Sequence, residues 1–364
     1  MIYSTPATTK QLARKLADFD DVRTRLGDQA RSAGPWLGSL RRQWRASSAE
    51  SSIEIEGFSV PQEERVALAS GDQIPSASDE DRMALSCYGR AMDHVGVMAD
   101  DPAFDWSERV ILDLHFDACY FQKDKDPGQY RRSGIEVTSP HGGPPAYVGP
   151  PFEDVPGLMG EVVDWLRKGD HREHVAVRAA MAHLHVVSVH PFRDGNGRIS
   201  RIVQSLMLAR EGLLAPEFVS IEEYLGRNTD AYYAVLQTVQ GGSYQPHRDA
   251  APWVRFCVDA HVEQARRRLE QLAEAGSRWS ALEKLVEERS WPDRLAIALE
   301  QSLFDGVDRA SYAAEAGVAT PTASNDLRRL VDAGLLVSRG RGRATSYGAS
   351  DALRASLRAG RGSA

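Results

Sequence analysis

The chain has 364 residues, of which 42% are apolar and 26% charged, with a formal net charge of −7 at neutral pH. This is the composition of a globular protein, and the length excludes one ordinary compact core and predicts two or three domains. The charge is uneven, because residues 309–364 hold nine Arg against four Asp and Glu, a net of +5 beside −12 for the remainder. A small basic end on an acidic body indicates a separate binding module.

Cysteine usage and the N-terminal residues bear on the cellular compartment. Cys87, Cys119 and Cys257 lie far apart and form no C-x-x-C pair, so reduced thiols and a cytoplasmic protein are expected. Residues 1–16 lack the apolar segment of a secretory signal, and no apolar run reaches membrane-spanning length. We therefore expect no membrane partner.

The apolar pattern in chain order predicts a mainly α fold. Residues 127–151 differ, being rich in Pro and Gly with β-type runs at 135–138 and 146–148, which predicts a β-hairpin or flap. The nearly continuous apolar run at 175–189 predicts a central, buried helix. The predicted helices before the C-terminal module cover residues 8–30, 44–56, 62–70, 79–98, 106–121, 153–168, 172–189, 199–211, 228–240 and 252–274.

The segment HPFRDGNGRISR at residues 190–201 lies between that buried helix and the next one. Gly195 and Gly197 allow the backbone to approach a ligand closely. The loop then enters a helix N-terminus, which favours anions, and Arg198 and Arg201 carry donors suited to phosphate oxygens. These features together indicate an anion-binding loop.

Two further side chains of this segment suit chemistry on phosphates. Asp194 offers a hard oxygen ligand for Mg²⁺ held together with substrate phosphates, and His190 can accept a proton near neutral pH. The combination favours phosphoryl or nucleotidyl transfer. Short motifs also occur by chance, so an ordinary turn with a structural histidine remains the alternative.

The whole segment resembles the Fic family signature H-x-F-x-[DE]-G-N-G-R-x-x-R at every specified position. The segment Pro127-Gly128-Gln129-Tyr130-Arg131, with the following flap, resembles the family's P-G-x-[FY]-R and target-docking hairpin, although Ser139–Pro145 is additional. Tyr232-Tyr233 resembles the family's downstream tyrosine pair. The resemblance spans about residues 106–260 and implies a Fic-type helical core.

The resemblance implies an enzyme that transfers AMP from ATP to Ser, Thr or Tyr hydroxyls of target proteins, or of itself. His190 would be the base, Asp194 the Mg²⁺ ligand and Arg201 the partner of the γ-phosphate. The other phosphate-binding positions would be Gly195, Asn196, Gly197 and Arg198. The flap residues Ile135, Glu136, Val137 and Thr138 would pair with the target strand and flank the nucleotide. The base and ribose would lie near Tyr232, Tyr233 and Gln240, for which ordinary helix packing is an equal alternative.

The segment Ser52-Ile53-Glu54-Ile55-Glu56-Gly57 resembles the inhibitory pattern [ST]-x-x-x-E-[GN] of the N-terminally inhibited Fic class. Ser52 and Glu56 are four residues apart, which places both on one side of a helix that Gly57 ends. The resemblance implies that Glu56 pairs with Arg201 and keeps it from the γ-phosphate. A solvated glutamate is the alternative.

Residues 293–350 resemble winged helix-turn-helix modules of bacterial regulators. Helices are predicted at 294–303, 308–316 and 320–333, with Thr320 as the cap and Pro321 at the first position of the third. Residues 334–336 would lead into a strand, residues 339–343 would form the wing tip, and residues 345–347 would be the returning strand. Arg328, Arg329 and the wing arginines could contact DNA phosphates. Dimerisation or target docking is the alternative, because fold-level analogy does not establish function.

The predicted fold class is therefore mainly α, with a Fic-type helical core, a β-hairpin flap and a small winged helix-turn-helix domain. The predicted domains are an N-terminal helical region with the inhibitory helix (1–105), the core (106–262), a connecting helix (263–292), the winged helix (293–350) and a basic tail (351–364). Two other functions stay open, namely AMP removal with Glu56 positioning a water, and a DNA-binding regulator with the core as sensor. The donor is also open, because family members transfer other phosphate-containing groups. The target protein and a homodimeric state are not decided by the sequence.

Overall fold

The computed structural model describes residues 1–76, 78–138, 144–169, 171–211, 215–304, 306–340 and 345–360. Helices dominate these residues, together with one two-stranded and one three-stranded sheet, so the prediction of a mainly α protein is confirmed. The chain forms two compact units, the first made of residues 1–27 and 44–268 and the second of residues 28–43 and 269–364. Residues 28–43, predicted within the N-terminal region, thus cluster with the C-terminal residues.

The first unit holds most of the helices. Its core lies around a central helix that is buried along nearly its whole length, which explains the continuous apolar run at 175–189. The last helix runs without interruption through the predicted domain boundary at 262/263. Helices α1, α2 and α12 lie only partly in this unit and continue into residues of the second. The helices that lie wholly or partly in the first unit are α1 (Lys10–Ser32), α2 (Leu37–Glu54), α3 (Arg65–Ala69), α4 (Glu80–Asp100), α5 (Glu108–Cys119), α6 (Val155–Lys168), α7 (Val175–Val189), α8 (Asn196–Arg210), α9 (Pro216–Val219), α10 (Glu222–Arg227), α11 (Thr229–Gln240) and α12 (Ala251–Glu287).

Helix α8 packs against α7, α4 and α5, so the loop at 190–195 is held at both of its ends by the core. Helix α8 begins at Asn196, three residues before the predicted start. The reason is Gly195, which takes a left-handed conformation with φ of +76° and whose carbonyl accepts the first helical hydrogen bond from Ile199 (3.0 Å). The residues Asn196, Gly197 and Arg198 therefore form the first turn of a helix rather than a loop.

The predicted hairpin is present as β1 (Glu136–Val137) and β2 (Tyr147–Val148), which pair antiparallel. Glu136 lies opposite Val148, and Val148 also forms a parallel bridge with Ser243 on its other side. Within the described residues, β1 is thus the outer strand of this small sheet. Of the additional hairpin residues, 139–143 lie outside the described residues.

The second unit contains α13 (Leu295–Ser302), β3 (Val307–Asp308), α14 (Arg309–Glu315), α15 (Thr320–Asp332), β4 (Leu336–Arg339), β5 (Ser346–Ala349) and α16 (Asp351–Gly360). Its antiparallel sheet has the order β3-β5-β4. Buried Asp326 on α15 accepts two hydrogen bonds from Arg294 (2.7 and 3.0 Å) and one from the Tyr312 hydroxyl (2.9 Å). This network holds α15 against α14 and the start of α13.

Two details of this unit differ from the sequence predictions. Helix α15 is capped by Ala319 without a side-chain hydrogen bond, and Thr320 is the first helical residue, so the prediction of a threonine cap is wrong. The predicted basic tail begins with helix α16. The wing-tip residues 341–343 lie outside the described residues, as does the end of the tail.

The three cysteines are free and buried. No helix among the described residues combines the length and apolarity needed to cross a membrane.

Candidate functional site

His190 caps the C-terminus of α7 in a left-handed conformation with φ of +51°. Its backbone N–H donates to Val186 (3.0 Å), and its ring Nδ1 lies 3.0 Å from the Val187 carbonyl oxygen, which can only accept a hydrogen bond. Nδ1 therefore carries the proton, and the neutral ring keeps a lone pair on Nε2. Burial lowers the pKa of His190, opposed by the Val187 hydrogen bond, so the neutral form is favoured.

Arg131 fixes the backbone around His190. Its buried guanidinium donates from Nε to the His190 carbonyl (2.8 Å) and from Nη2 to the Pro150 carbonyl (2.6 Å), and its backbone N–H donates to Pro191 (2.8 Å). The loop is thereby joined to both ends of the hairpin. Arg131 was not among the predicted site residues, although it ends the P-G-Q-Y-R segment and could have been found there.

Asn196 closes the loop on itself. Its Oδ1 accepts from the Phe192 N–H (2.9 Å), and its Nδ2 donates to the Phe192 carbonyl (2.8 Å). The side chain is 2% exposed. The Asn196 amide thus shapes the loop. An anion would instead be bound by the backbone N–H groups at the start of α8.

Gly195 lies where no side chain fits. A Cβ at this position would overlap the Cys119 Sγ and lie 3.2 Å from Nε2 of His115. His115, which was not among the predicted site residues, stacks on Phe192 with 3.6 Å between ring centroids and donates from Nε2 to the Asp194 carbonyl (2.9 Å). Burial lowers the pKa of His115 to about 4, so it is a neutral, structural histidine beneath the loop.

The Asp194 carboxylate is held by several donors. Its Oδ1 accepts from the Gly195 N–H (2.6 Å) and from Arg198 (3.3 Å), and its Oδ2 accepts from Gln122 (2.6 Å). The described residues contain no group of three metal-ligating side chains. A single partly exposed carboxylate fits Mg²⁺ that is held together with substrate phosphates, and does not fit an all-protein cage.

Arg198 turns inward. Its guanidinium is fully buried, lies 5.6 Å from the ring centroids of both Phe58 and Phe121, and donates to Gln122 (2.8 Å). The side chain thus supports Asp194 from behind. The contribution of this position to an anion site comes from its backbone.

Arg201 is 1% exposed and is engaged by the end of α2. Its Nε donates to the Ser52 hydroxyl (2.8 Å), and its Nη2 donates to the Ser52 carbonyl (2.9 Å) and to Oε1 of Glu56 (2.8 Å). Burial lowers the pKa of Arg201, but the Glu56 carboxylate together with Tyr232 and Tyr88 outweighs burial and raises the pKa above its ordinary value. The ion pair expected from the Ser52–Gly57 pattern is therefore formed.

The end of α2 directs Glu56 towards α8. Gly57 has φ of +92°, its N–H donates to Glu54 (3.0 Å), and the Phe58 N–H donates to Ile53 (3.1 Å), the pattern of a glycine that terminates a helix. A Cβ on Gly197 would overlap Oε1 of Glu56. The carboxylate thus lies against the N-terminus of α8, where the helix dipole and free N–H groups favour a negative charge.

The two predicted base-pocket tyrosines have different surroundings. Tyr232 is 1% exposed, and its hydroxyl lies 3.1 Å from His183 inside the core, while Tyr233 is 46% exposed and donates to the Ile55 carbonyl (3.2 Å). Tyr233 is therefore the accessible member of the pair and lies beside the end of α2. Gln240 is buried and donates to the Ser188 hydroxyl (3.0 Å).

The hairpin presents its predicted residues in alternation. Glu136 and Thr138 are exposed, whereas Ile135 and Val137 are half-buried. The Tyr147 hydroxyl of β2 donates to the Ser188 carbonyl near the end of α7. The hairpin is thereby fastened beside the His190 loop.

Comparison with known proteins agrees with this arrangement. Residues 105–208 match the family model described as the Fic/DOC family. The structure superposes on a Fic family protein from Desulfovibrio desulfuricans G20 with a TM-score of 0.62 and 20% identity, covering 96% of this chain and 99% of that chain. Residues 105–208 thus resemble a Fic/DOC domain, and the fold is similar to that of a Fic family protein.

Two relatives carry names that state an activity. The protein adenylyltransferase Fic of Aedes aegypti is 33% identical over 150 residues, which are 41% of this chain and 26% of that protein. A probable protein adenylyltransferase of Aquifex aeolicus is 32% identical over 193 residues, which are 52% of this chain and 55% of that protein. The chain thus spans about a quarter and about half of the lengths of these relatives.

Proposed function

We propose that the protein transfers AMP from ATP to hydroxyl side chains of other proteins. The observation that carries the proposal is the geometry of His190, whose Nδ1 is held by the Val187 carbonyl so that Nε2 is free, at the start of a glycine loop that enters the N-terminus of α8. The names of the two relatives support the same activity. The test is incubation with labelled ATP and Mg²⁺, with the variants described in the Discussion.

In this mechanism the target hydroxyl gives its proton to Nε2 of His190 as its oxygen bonds to the α-phosphorus. The bond from that phosphorus to the bridging oxygen breaks, and pyrophosphate leaves with the electron pair. The backbone N–H groups at the start of α8 hold the phosphates in line. Asp194 would hold Mg²⁺, which supplies positive charge to the phosphate oxygens when bound.

Target recognition would use the hairpin. Strand β1 is the outer strand of its sheet within the described residues, and an outer strand presents main-chain N–H and C=O groups along its free edge. A target segment could add to this edge by main-chain hydrogen bonds, which would bring its hydroxyl towards His190. Tyr233 would contact the nucleotide from the α11 side.

The pH dependence of transfer follows from His190. Because burial lowers its pKa below the ordinary value of 6.5, the base form is populated at a lower pH than for a free histidine. We expect the turnover rate at saturating ATP to rise with pH and to exceed about half of its maximum already at pH 6.5. A pH series on the Glu56→Gly variant measures this, and an acid limb centred above pH 6.5 would contradict the assignment.

We also infer that Glu56 restrains the enzyme. The 2.8 Å ion pair occupies the arginine that the γ-phosphate would need, and the carboxylate lies at the anion-favouring end of α8. ATP would then bind with its phosphates displaced from the in-line geometry. The alternative is that Glu56 holds a water that removes AMP from modified targets. In that case the Glu56→Gly variant would no longer release AMP from a modified target.

For the second unit we propose a winged helix-turn-helix that contacts DNA. Helices α14 and α15 are followed by the strands β4 and β5, and Arg328 and Arg329 lie exposed on α15. The net charge of +5 over residues 309–364 supports an electrostatic contact with phosphates. Dimerisation through this unit is the alternative.

Neutralising Arg328 and Arg329 together by glutamine should weaken binding of the full chain to duplex DNA. The plot of log affinity against log salt concentration has a negative slope, and each lost phosphate contact makes it shallower by about 0.9. The slope of the double variant should therefore be shallower by up to about 2. Fluorescence anisotropy at several salt concentrations measures it, with Arg358→Gln on α16 as a control for charge alone. No binding of the unchanged protein at low salt would exclude DNA and favour dimerisation or target docking.

A further inference from the structure

Gln122 lies beneath Asp194 and has no role in the mechanism described above. It follows α5 in the chain and is 8% exposed. Its Nε2 donates to Oδ2 of Asp194 (2.6 Å), and its Oε1 accepts from Arg198 (2.8 Å). One amide thus bridges the carboxylate and the guanidinium.

The direction of this amide is fixed by its neighbour. Arg198 can only donate hydrogen bonds, so the amide oxygen of Gln122 must face it. The amide NH₂ group then faces Asp194, as the structure has it. If the amide were turned the other way, its NH₂ group would face the N–H groups of Arg198, and its oxygen would face a carboxylate oxygen of Asp194.

Gln122 also separates two groups that would otherwise pair fully. Arg198 follows Asp194 by four residues, is fully buried, and already reaches Oδ1 at 3.3 Å. Arginine and a carboxylate pair most strongly through two parallel hydrogen bonds. Because Gln122 occupies both Oδ2 and the guanidinium Nη2, it limits this ion pair to one oxygen.

The donors leave the two carboxylate oxygens unequal. Oδ1 accepts from the Gly195 N–H and from Arg198, whereas Oδ2, among the residues that the structure describes, accepts from Gln122 alone. Each carboxylate oxygen offers about two acceptor sites. Oδ2 thus keeps one unoccupied acceptor site. Because the side chain of Asp194 is 36% exposed, a ligand can reach that site.

We propose that Gln122 is a positioning residue that keeps Oδ2 of Asp194 available to the Mg²⁺ that accompanies ATP. The proposal rests on the proposed function, because it assigns the metal to Asp194. Second-layer hydrogen bonds of this kind orient a ligand and typically contribute 10- to 100-fold to metal affinity. Without Gln122, Arg198 closes onto both oxygens of Asp194 and competes with the metal.

The test compares ATP binding with and without metal. Gln122→Met is made in the Glu56→Gly background, and ATP affinity is measured by calorimetry in Mg²⁺ and in EDTA. We expect the ratio of the ATP affinity in Mg²⁺ to the ATP affinity in EDTA to be about tenfold smaller than in the Glu56→Gly parent. The affinity in EDTA should stay within about twofold, since the backbone cradle of α8 is unchanged.

The EDTA measurement also reports folding, because a misfolded variant would lose metal-free binding. Gln129→Met is the matched control, since Gln129 is exposed and, within the described residues, its side chain accepts a hydrogen bond from Arg132 alone. A Gln122→Met variant with the parent's full Mg²⁺ gain would overturn the proposal, and so would an equal loss in both buffers. A parent that gains nothing from Mg²⁺ would instead overturn the metal assignment of the proposed function, and this inference with it.

Discussion

Replacing Glu56 by glycine should raise AMP transfer, including transfer onto the protein itself, by about 10- to 100-fold. The Arg201–Glu56 pair is a charge-assisted hydrogen bond of 2.8 Å with the arginine buried. Such bonds contribute about 1.5–3 kcal/mol, and each 1.4 kcal/mol changes a rate or equilibrium about tenfold. In the variant Arg201 can bind the γ-phosphate, and no carboxylate competes with the phosphates at the N-terminus of α8. Incorporation of label from ATP measures the change.

Glycine also weakens a helix end, and this effect needs its own control. Glu54→Gly removes a carboxylate and adds a glycine two residues earlier, at the exposed last residue of α2, whereas Glu56 lies in the turn that follows the helix. A glycine within a helix costs about 1 kcal/mol, so Glu54→Gly loosens the end of α2 at least as much as Glu56→Gly does. If Glu54→Gly raises AMP transfer as strongly as Glu56→Gly, loosening of α2 is the cause of the activation. If Glu56→Gly and the unchanged protein incorporate equal amounts of label, Glu56 does not restrain the enzyme.

Replacing His190 by alanine in the Glu56→Gly background should lower transfer by about 10² to 10⁴, the usual contribution of a general base. ATP affinity should change little, because the phosphates are assigned to the backbone at Gly195–Arg198 and not to the imidazole. The left-handed backbone at His190 is tolerated by a histidine and costs alanine about 1 kcal/mol, so a small loss of thermal stability is expected.

Single-turnover rates and calorimetry with ATP separate the two roles of His190. His247→Ala removes an exposed histidine and serves as the control. Retained turnover in His190→Ala would exclude this histidine as the base. Lost ATP binding would show that the side chain mainly shapes the loop, since its Nδ1 bond to Val187 would be missing.

Several features of the fold could be predicted because they depend on neighbours in the chain. The apolar run at 175–189 predicted the buried helix α7. Gly57, with its preference for positive φ, predicted a chain reversal after α2, but the helix ends at Glu54, two residues before the predicted end, so Glu56 lies in the turn and not on the helix with Ser52. The start of α8 was predicted three residues late, because the loop pattern of Gly195 to Arg198 conceals a first helical turn with a glycine cap.

The sequence by itself determined the chemistry of the loop, namely a histidine, one carboxylate, and glycines before a helix start, since these residues are consecutive. The tertiary structure decided which way each side chain points. Arg198 turns inward to Gln122, 76 residues away in the chain, and Arg201 meets Ser52, 149 residues away. Likewise only packing separates buried Tyr232 from exposed Tyr233. Contacts between such distant residues depend on how the helices pack, which periodicity and local propensity do not encode.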